Sequence, residues 1–207
     1  IPKPPRGLLS FLRQGHAGYL CIYKQKKMKG RIADIRKNYS RRKLLEKKAA
    51  KDTFTQFGKW WKQAINADID EINAMTLATA SPDGMPSARI VLLKDFTEKG
   101  FTFFTNYESY KGQQMAENPK ACLVFFWKEL ERQVRITGLV ERIAAEDSTE
   151  YFLSRPVESR LGAVVSPQSR VIDSRGWLDD NYGQKKKELK GQHIDRPEHW
   201  GGYIVKP

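Results

Sequence analysis

Tyr151, Arg155 and Ser159 stand at intervals of four in the stretch Glu150 to Ser169. Phenol, guanidinium and hydroxyl are donors suited to a phosphate or a carboxylate. On one helix, positions i, i+4 and i+8 share a face, so the three could converge on a single anion. Pro156 interrupts that arrangement, because the residue before a proline is pushed out of the helical region. The spacing therefore predicts one helix ending near Ser154 and a second turn opening with Pro156 at its first position. Ser166-Pro-Gln-Ser169 closes the stretch as a polar loop able to hydrogen-bond a ligand. The same residues also fit an amphipathic helix, a breaker and a loop with no site.

The elements that must position these residues are legible in outline. Phe54, Phe57, Trp60, Trp61, Ala64 and Ile65 recur at helical spacing, and Asp52 or Thr53 can cap the start. That spacing makes Trp60 and Trp61 core residues rather than ligand-stacking ones. Ala74 to Ala80 and Pro86 to Leu93 read as a hairpin around the turn signal Ser81-Pro-Asp-Gly84. Asp95 to Gly100 reads as a turn and Phe101 to Thr105 as a strand. Tyr110 to Asn118 reads as a helix stopped by Pro119. Ala121 to Trp127 is continuously apolar and predicts a strand buried on both sides. Gln133 to Arg142 alternates as another strand, a helix contains Asp147 to Ser154, and Gly176 to Lys190 is a further helix. His199 to Val205 opens a sixth strand, after which a barrel would be expected to continue. Near the start, Ile35 to Tyr39 reads as a short basic helix. Short antiparallel strands with inserted helices predict an α+β protein built on a β-barrel.

Composition narrows the function. The net charge is +13, but residues 1–48 hold 15 Lys/Arg against two acids (Asp34, Glu46), and the remaining 22 Lys/Arg are matched by 22 Asp/Glu. The excess lies in the N-terminal arm, which argues against a dedicated nucleic-acid fold. Residues 1–30 read as a flexible basic arm and 31–207 as the folded domain. Cys21 and Cys122 are too few and too far apart for a zinc site or a disulfide framework, which fits a reducing compartment such as the cytoplasm. The arm is rich in Arg and Lys and poor in acids, like an organelle transit segment, and equally like a plain leader. No apolar run is long enough to span a membrane.

Seven pieces in order then resemble a known family: Ser87 to Lys94, Phe104-Thr-Asn106, Ser109-Tyr-Lys-Gly112, Leu130 to Val134, Tyr151 to Pro156, Ser166 to Ser169, and Arg196 to Gly202. Together they resemble the pyridoxamine (pyridoxine) 5′-phosphate oxidases. The resemblance implies an FMN-binding split β-barrel, a homodimer with flavin at the interface, and dioxygen as acceptor. It implies that Arg89 and Lys111 hold the FMN phosphate, with Thr105 and Ser169 as neutral donors. Arg89, Ile90, Val91, Leu92, Leu93 and Lys94 would line the flavin, with Phe104 beside them and Gln133, Gln168 and Trp200 completing the pocket. Lys94, Tyr151, Arg155 and Ser159 would grip the substrate phosphate, and Arg36, Lys37, Asn38 and Tyr39 would fold over the bound substrate. In an extended strand residues 89 and 94 point to opposite faces, which suits two different phosphates.

The sequence departs from the family pattern twice. Tyr110 stands where an arginine is usual, which removes a contact worth about 1.5–3 kcal/mol when charged and well formed. The family's Arg-x-His pair has no match up to Pro207, so no catalytic residue is assigned and the C-terminal strands are expected to be incomplete. The implied activity is oxidation of pyridoxine or pyridoxamine 5′-phosphate to pyridoxal 5′-phosphate, with release of hydrogen peroxide. Two other classes stay open: a non-catalytic binder of flavin or pyridoxal phosphate, and a nucleic-acid tether through residues 3–48.

Overall fold

The hairpin read from residues 74–93 is the start of a single antiparallel sheet. In the computed structural model residues 32–36, 38 and 44–207 are described. Ile1–Asn38 and Tyr39–Pro207 form separate units. In the first, Ile32–Asp34 is a 3-10 turn and Arg36 Nε donates to the Ala33 carbonyl at 3.3 Å. The helical turn thus precedes the expected segment, and residues 35, 36 and 38 are not helical. So short a segment has too few internal hydrogen bonds to sustain a helix by itself. Lys37 and Tyr39 lie outside the described residues.

The second unit carries β1 (Ala74–Ala80), β2 (Pro86–Leu92), β3 (Asp95–Thr97), β4 (Gly100–Asn106), β5 (Lys120–Trp127), β6 (Arg132–Arg142) and β7 (Trp200–Lys206). Their order is β2-β1-β5-β6-β7-β4-β3, antiparallel throughout. The two edge strands are consecutive in sequence. Leu93 N donates to the Asn73 carbonyl on one side of the bend and Lys94 N to the Thr102 carbonyl on the other, both at 2.8 Å. A single bent segment therefore sits at both edges and curls the sheet into a split barrel. This bend also corrects the expected turn at 95–100: Asp95–Thr97 pairs with β4, and the reversal is confined to Glu98 and Lys99. Gly100 completes it at φ 144°, where a Cβ would lie 2.3 Å from the Val205 carbonyl oxygen.

Burial along β5 alternates, which corrects the expectation of a strand buried on both sides. Ala121, Leu123, Phe125 and Trp127 point inward, whereas Phe126 is 58% exposed. The barrel interior is closed by α1 (Thr53–Ile65), capped by Asp52, whose carboxylate accepts from Thr55 N at 2.6 Å. Phe57 is the anchor, with its ring 4.8–6.1 Å from those of Phe96, Phe101, Phe125, Trp61 and Trp127. Trp60 and Trp61 pack against this core as their spacing predicts.

The remaining helices are α2 (Tyr110–Glu117), α3 (Ala145–Ser154), α4 (Val157–Val165) and α5 (Arg175–Glu188). The region after Pro156 is a nine-residue helix rather than a single turn. Pro156 is its cap at φ −53°, ψ 147°, not its first helical residue. Arg155 before it is extended at ψ 150°, as proline sterics require. A second small core of Phe152, Leu161, Ile194 and Trp200 joins α3 and α4 to β7.

Candidate functional site

Two devices hold α3 against the sheet. Ser148 is fully buried and its hydroxyl accepts from Gly202 N at 3.1 Å. Arg196 donates to the Trp200 carbonyl at 2.6 Å and to Thr149 Oγ1 at 2.9 Å. Between helices α3 and α4 and the outer side of β2 and β4 lies a cleft of about 660 Å³. That volume is in the range of small-molecule and cofactor sites.

Tyr151, Arg155 and Ser159 all line it, brought together from α3, the bend and α4. Tyr151 stacks on Phe104 with centroids 3.9 Å apart, and Phe104 on Trp200 at 5.4 Å. The Arg155 guanidinium lies 4.6 Å from the Trp200 ring centroid, a cation–π contact. Its Nη1 is buried with no hydrogen-bond partner among the described residues. Burial pushes the Arg155 pKa below its ordinary value, partly opposed by Tyr151. A guanidinium fixed over an aromatic face with an unused donor is prepared for an anion.

A second cation sits on α2. Ser109 caps that helix, its side chain accepting from Gly112 N. Gly112 allows the close approach to residues 106 and 107, since a Cβ there would lie 2.1 Å from the Tyr107 carbonyl oxygen. Lys111 is consequently drawn inward. Its Nζ donates to Gln168 Oε1 at 2.7 Å and to Thr105 Oγ1 and Ser109 Oγ at 3.1 Å each. All three acceptors are neutral, and no carboxylate pairs with it among the described residues. Burial, reinforced by the nearby charge of Arg89, lowers its pKa from 10.5 to about 8.

Ile90, Val91, Leu92, Lys94, Phe104, Thr105, Gln168 and Trp200 also line the cleft. Four residues of the expected flavin set do not. Arg89 alternates with Ile90 and turns to the inner side of the sheet, opposite in parity to Lys94. It donates there to Thr79 Oγ1 at 2.6 Å. Burial lowers its pKa, partly opposed by Tyr110. Leu93 is buried in the barrel core. Gln133 is exposed on β6, paired with Phe126 and away from the cleft. Ser169 sits in the left-handed region at φ 67°, which turns the chain out of the cleft after Gln168. Sequence reasoning missed Asn106 and Ala163 in the lining, and the buried pair Thr79 and Gln114 behind Arg89. The hairpin register, which sets Thr79 opposite Ser87, is a signal for Thr79 alone. Among the described residues no cluster of three metal-ligating side chains occurs, and no helix is long and apolar enough to cross a membrane.

A curled antiparallel sheet with helices walling a cationic cleft defines a split-barrel protein. A solved structure of PhzG from Burkholderia lata, in complex with tetrahydrophenazine-1-carboxylic acid, has a TM-score of 0.75 at 25% identity, covering 79% of this chain and 81% of that one. A pyridoxamine 5′-phosphate oxidase-related, FMN-binding protein from Nostoc punctiforme shares the fold at TM-score 0.58 and 16% identity, covering 76% and 82%. Residues 61–184 match the family described as pyridoxamine 5′-phosphate oxidase, and the chain belongs to that family. The pyridoxine/pyridoxamine 5′-phosphate oxidase of Gloeothece citriformis is 56% identical over 176 residues, covering 85% of this chain and 82% of the relative. That of Salinibacter ruber is 53% identical over 178 residues, covering 86% and 83%. The chain is thus an oxidoreductase-family member of the pyridoxine/pyridoxamine phosphate oxidase type.

Proposed function

We propose that the protein oxidises pyridoxine 5′-phosphate and pyridoxamine 5′-phosphate to pyridoxal 5′-phosphate with bound FMN. Dioxygen is the acceptor and hydrogen peroxide is released, with ammonia in addition from the amine, as a step of vitamin B6 metabolism. The observation that carries the reading is one cleft with two cationic subsites, Lys111 and Arg155, neither of them neutralised by a carboxylate among the described residues. Two such subsites fit two phosphates, one of a cofactor and one of a substrate.

The residues present suit FMN. Lys111 and Thr105 would take its phosphate, with Arg89 adding charge from behind, and Gln168 would exchange its hold on Lys111 for the ligand. Ile90, Val91, Leu92, Phe104 and Trp200 would give the ring system an apolar wall. FMN, when bound, supplies the hydride acceptor that dioxygen then restores. The protein supplies position and phosphate binding. Arg155, Ser159, Tyr151 and Lys94 would grip the substrate phosphate and so orient the C4′ group. Arg36 to Tyr39 would fold over the substrate. On this reading the oxidase domain is residues 31–207, after a basic arm at 1–30, and the protein acts in the cytoplasm.

Gln133 and Ser169 would join the site through a homodimer with flavin at the interface. Ile90, Thr76, Val124 and Arg135 form one cross-strand row, on which Ile90 is 65% exposed, and Phe126, two residues on from Val124, presents apolar surface on the same face. Gln133 pairs with Phe126, so a second copy seated on this face would carry its glutamine towards the first.

The purified protein is expected to be yellow, or to become so with FMN, and to release peroxide with pyridoxine 5′-phosphate. A colourless protein that FMN cannot reconstitute overturns the reading. A flavin-loaded protein that forms no peroxide with either substrate supports a non-catalytic binder instead.

A further inference from the structure

Behind the cleft lies a buried polar chain that the proposed reaction does not use. Gln114 is 2% exposed and shares a face of α2 with Lys111, three residues earlier. Its Oε1 accepts from the Thr79 hydroxyl at 2.6 Å and from the Ser87 hydroxyl at 2.5 Å. Each hydroxyl in turn accepts from Arg89, Thr79 from Nη1 at 2.6 Å and Ser87 from Nη2.

A hydroxyl has one proton to give. Accepting from a guanidinium, it needs an acceptor for that proton, and Gln114 Oε1 is the acceptor for both. The other half of the amide contributes nothing: Nε2 is buried without a partner among the described residues. Remove Oε1, and both hydroxyls are free to rotate their protons towards Arg89, where they repel its donors instead of receiving them. The guanidinium has five donors, and this arrangement engages Nη1 and one proton of Nη2. The Nε proton and the second Nη2 proton stay available.

We infer that Gln114 is a positioning residue: through Thr79 and Ser87 it sets the orientation of Arg89, and thereby the strength with which the Arg89–Lys111 pair holds an anionic group. The inference rests on the reading above that this pair holds a cofactor phosphate. Its signature is selective. Only ligands that carry the phosphate should notice Gln114, because the ring-binding wall is formed by other residues.

The test uses the full chain stripped of bound flavin, titrated by fluorescence with FMN and with riboflavin, which lacks the phosphate. The native protein should prefer FMN. Gln114→Leu should weaken FMN binding by about tenfold, the cost of a disturbed charge-assisted contact, and leave riboflavin unchanged. Thr79→Val, which removes one of the two relaying hydroxyls, should weaken FMN binding in the same selective way, and Thr79→Ser, which keeps the hydroxyl, should not. A Gln114→Leu protein that folds and keeps the native FMN-to-riboflavin ratio overturns the inference alone. If Gln114→Leu does not fold, the two Thr79 variants decide: the inference requires Thr79→Val to lose the FMN-to-riboflavin ratio and Thr79→Ser to keep it. A native protein indifferent to the phosphate overturns both the inference and the cofactor reading.

Discussion

Lys111 is a buried cation among neutral oxygens, and that fixes the sign of its pH dependence. Its pKa in the folded protein is about 8, below the ordinary 10.5. The ligand-free fold therefore binds fewer protons than the unfolded chain between those values, and its stability contribution rises with pH from about 8 to 10.5. A phosphate ligand works the other way, because it favours the charged ammonium. FMN affinity should be level between about pH 7, where the phosphate is almost fully doubly ionised, and about pH 8, and fall as pH rises further, while riboflavin affinity should not follow. Lys111→Met should abolish this pH dependence and weaken FMN binding by about 1.5–3 kcal/mol, roughly 10- to 150-fold. Titrations on either side of that pKa, at about pH 7 and about pH 9, check both statements. Arg155 makes a different prediction. On the proposed reading its contact is with the non-reacting phosphate of the substrate, so Arg155→Met should raise KM for pyridoxine 5′-phosphate about tenfold or more and change kcat little. A large loss in kcat with unchanged KM would contradict that role.

At the scale of elements, the site depends on three joints: the bend at Leu93–Lys94, the tight entry to α2, and the break at Arg155–Pro156. The last was legible in the sequence, since a proline one residue after an arginine forces the extended backbone that is observed. The first was not. Asp95 to Gly100 reads as a plain turn, and only the pairing of Asp95 with Thr102 shows that the strand continues. The entry to α2 was half legible: the helix from Tyr110 was readable, but nothing local reveals that Ser109 caps it or that Gly112 lies against the Tyr107 carbonyl. Gly112→Ala should therefore cost about 1–3 kcal/mol through overpacking, seen as a lower melting temperature, and should displace Lys111 enough to weaken FMN binding. A Gly112→Ala protein as stable as the native one would mean that α2 can shift without cost.

For the whole molecule, the proposed homodimer would be seated on the outer face of β2, β1, β5 and β6, where Ile90 and Phe126 are exposed. Ile90→Glu combined with Phe126→Asp should give a monomer by analytical ultracentrifugation, with an unchanged far-ultraviolet spectrum and poor flavin retention. A dimer that persists would place the interface elsewhere. By itself, the sequence determined most of the strands and helices, because alternation, helical spacing and turn residues are local properties. It also determined the family, because seven short motifs stand in one order. The donor set Tyr151, Arg155 and Ser159 was visible for the same reason, since its spacing is short. Strand parity set Arg89 and Lys94 on opposite faces, but the tertiary structure alone decided that Arg89 is the one that turns inward, that Gln133 lies outside the cleft, and that Gln114 stands behind Arg89. Those facts depend on register across β1 and β2 and on how α2 seats against the barrel. Such contacts join residues up to 35 positions apart, as from Thr79 to Gln114, and no local pattern records them. A one-residue change of register would reverse every one of those faces.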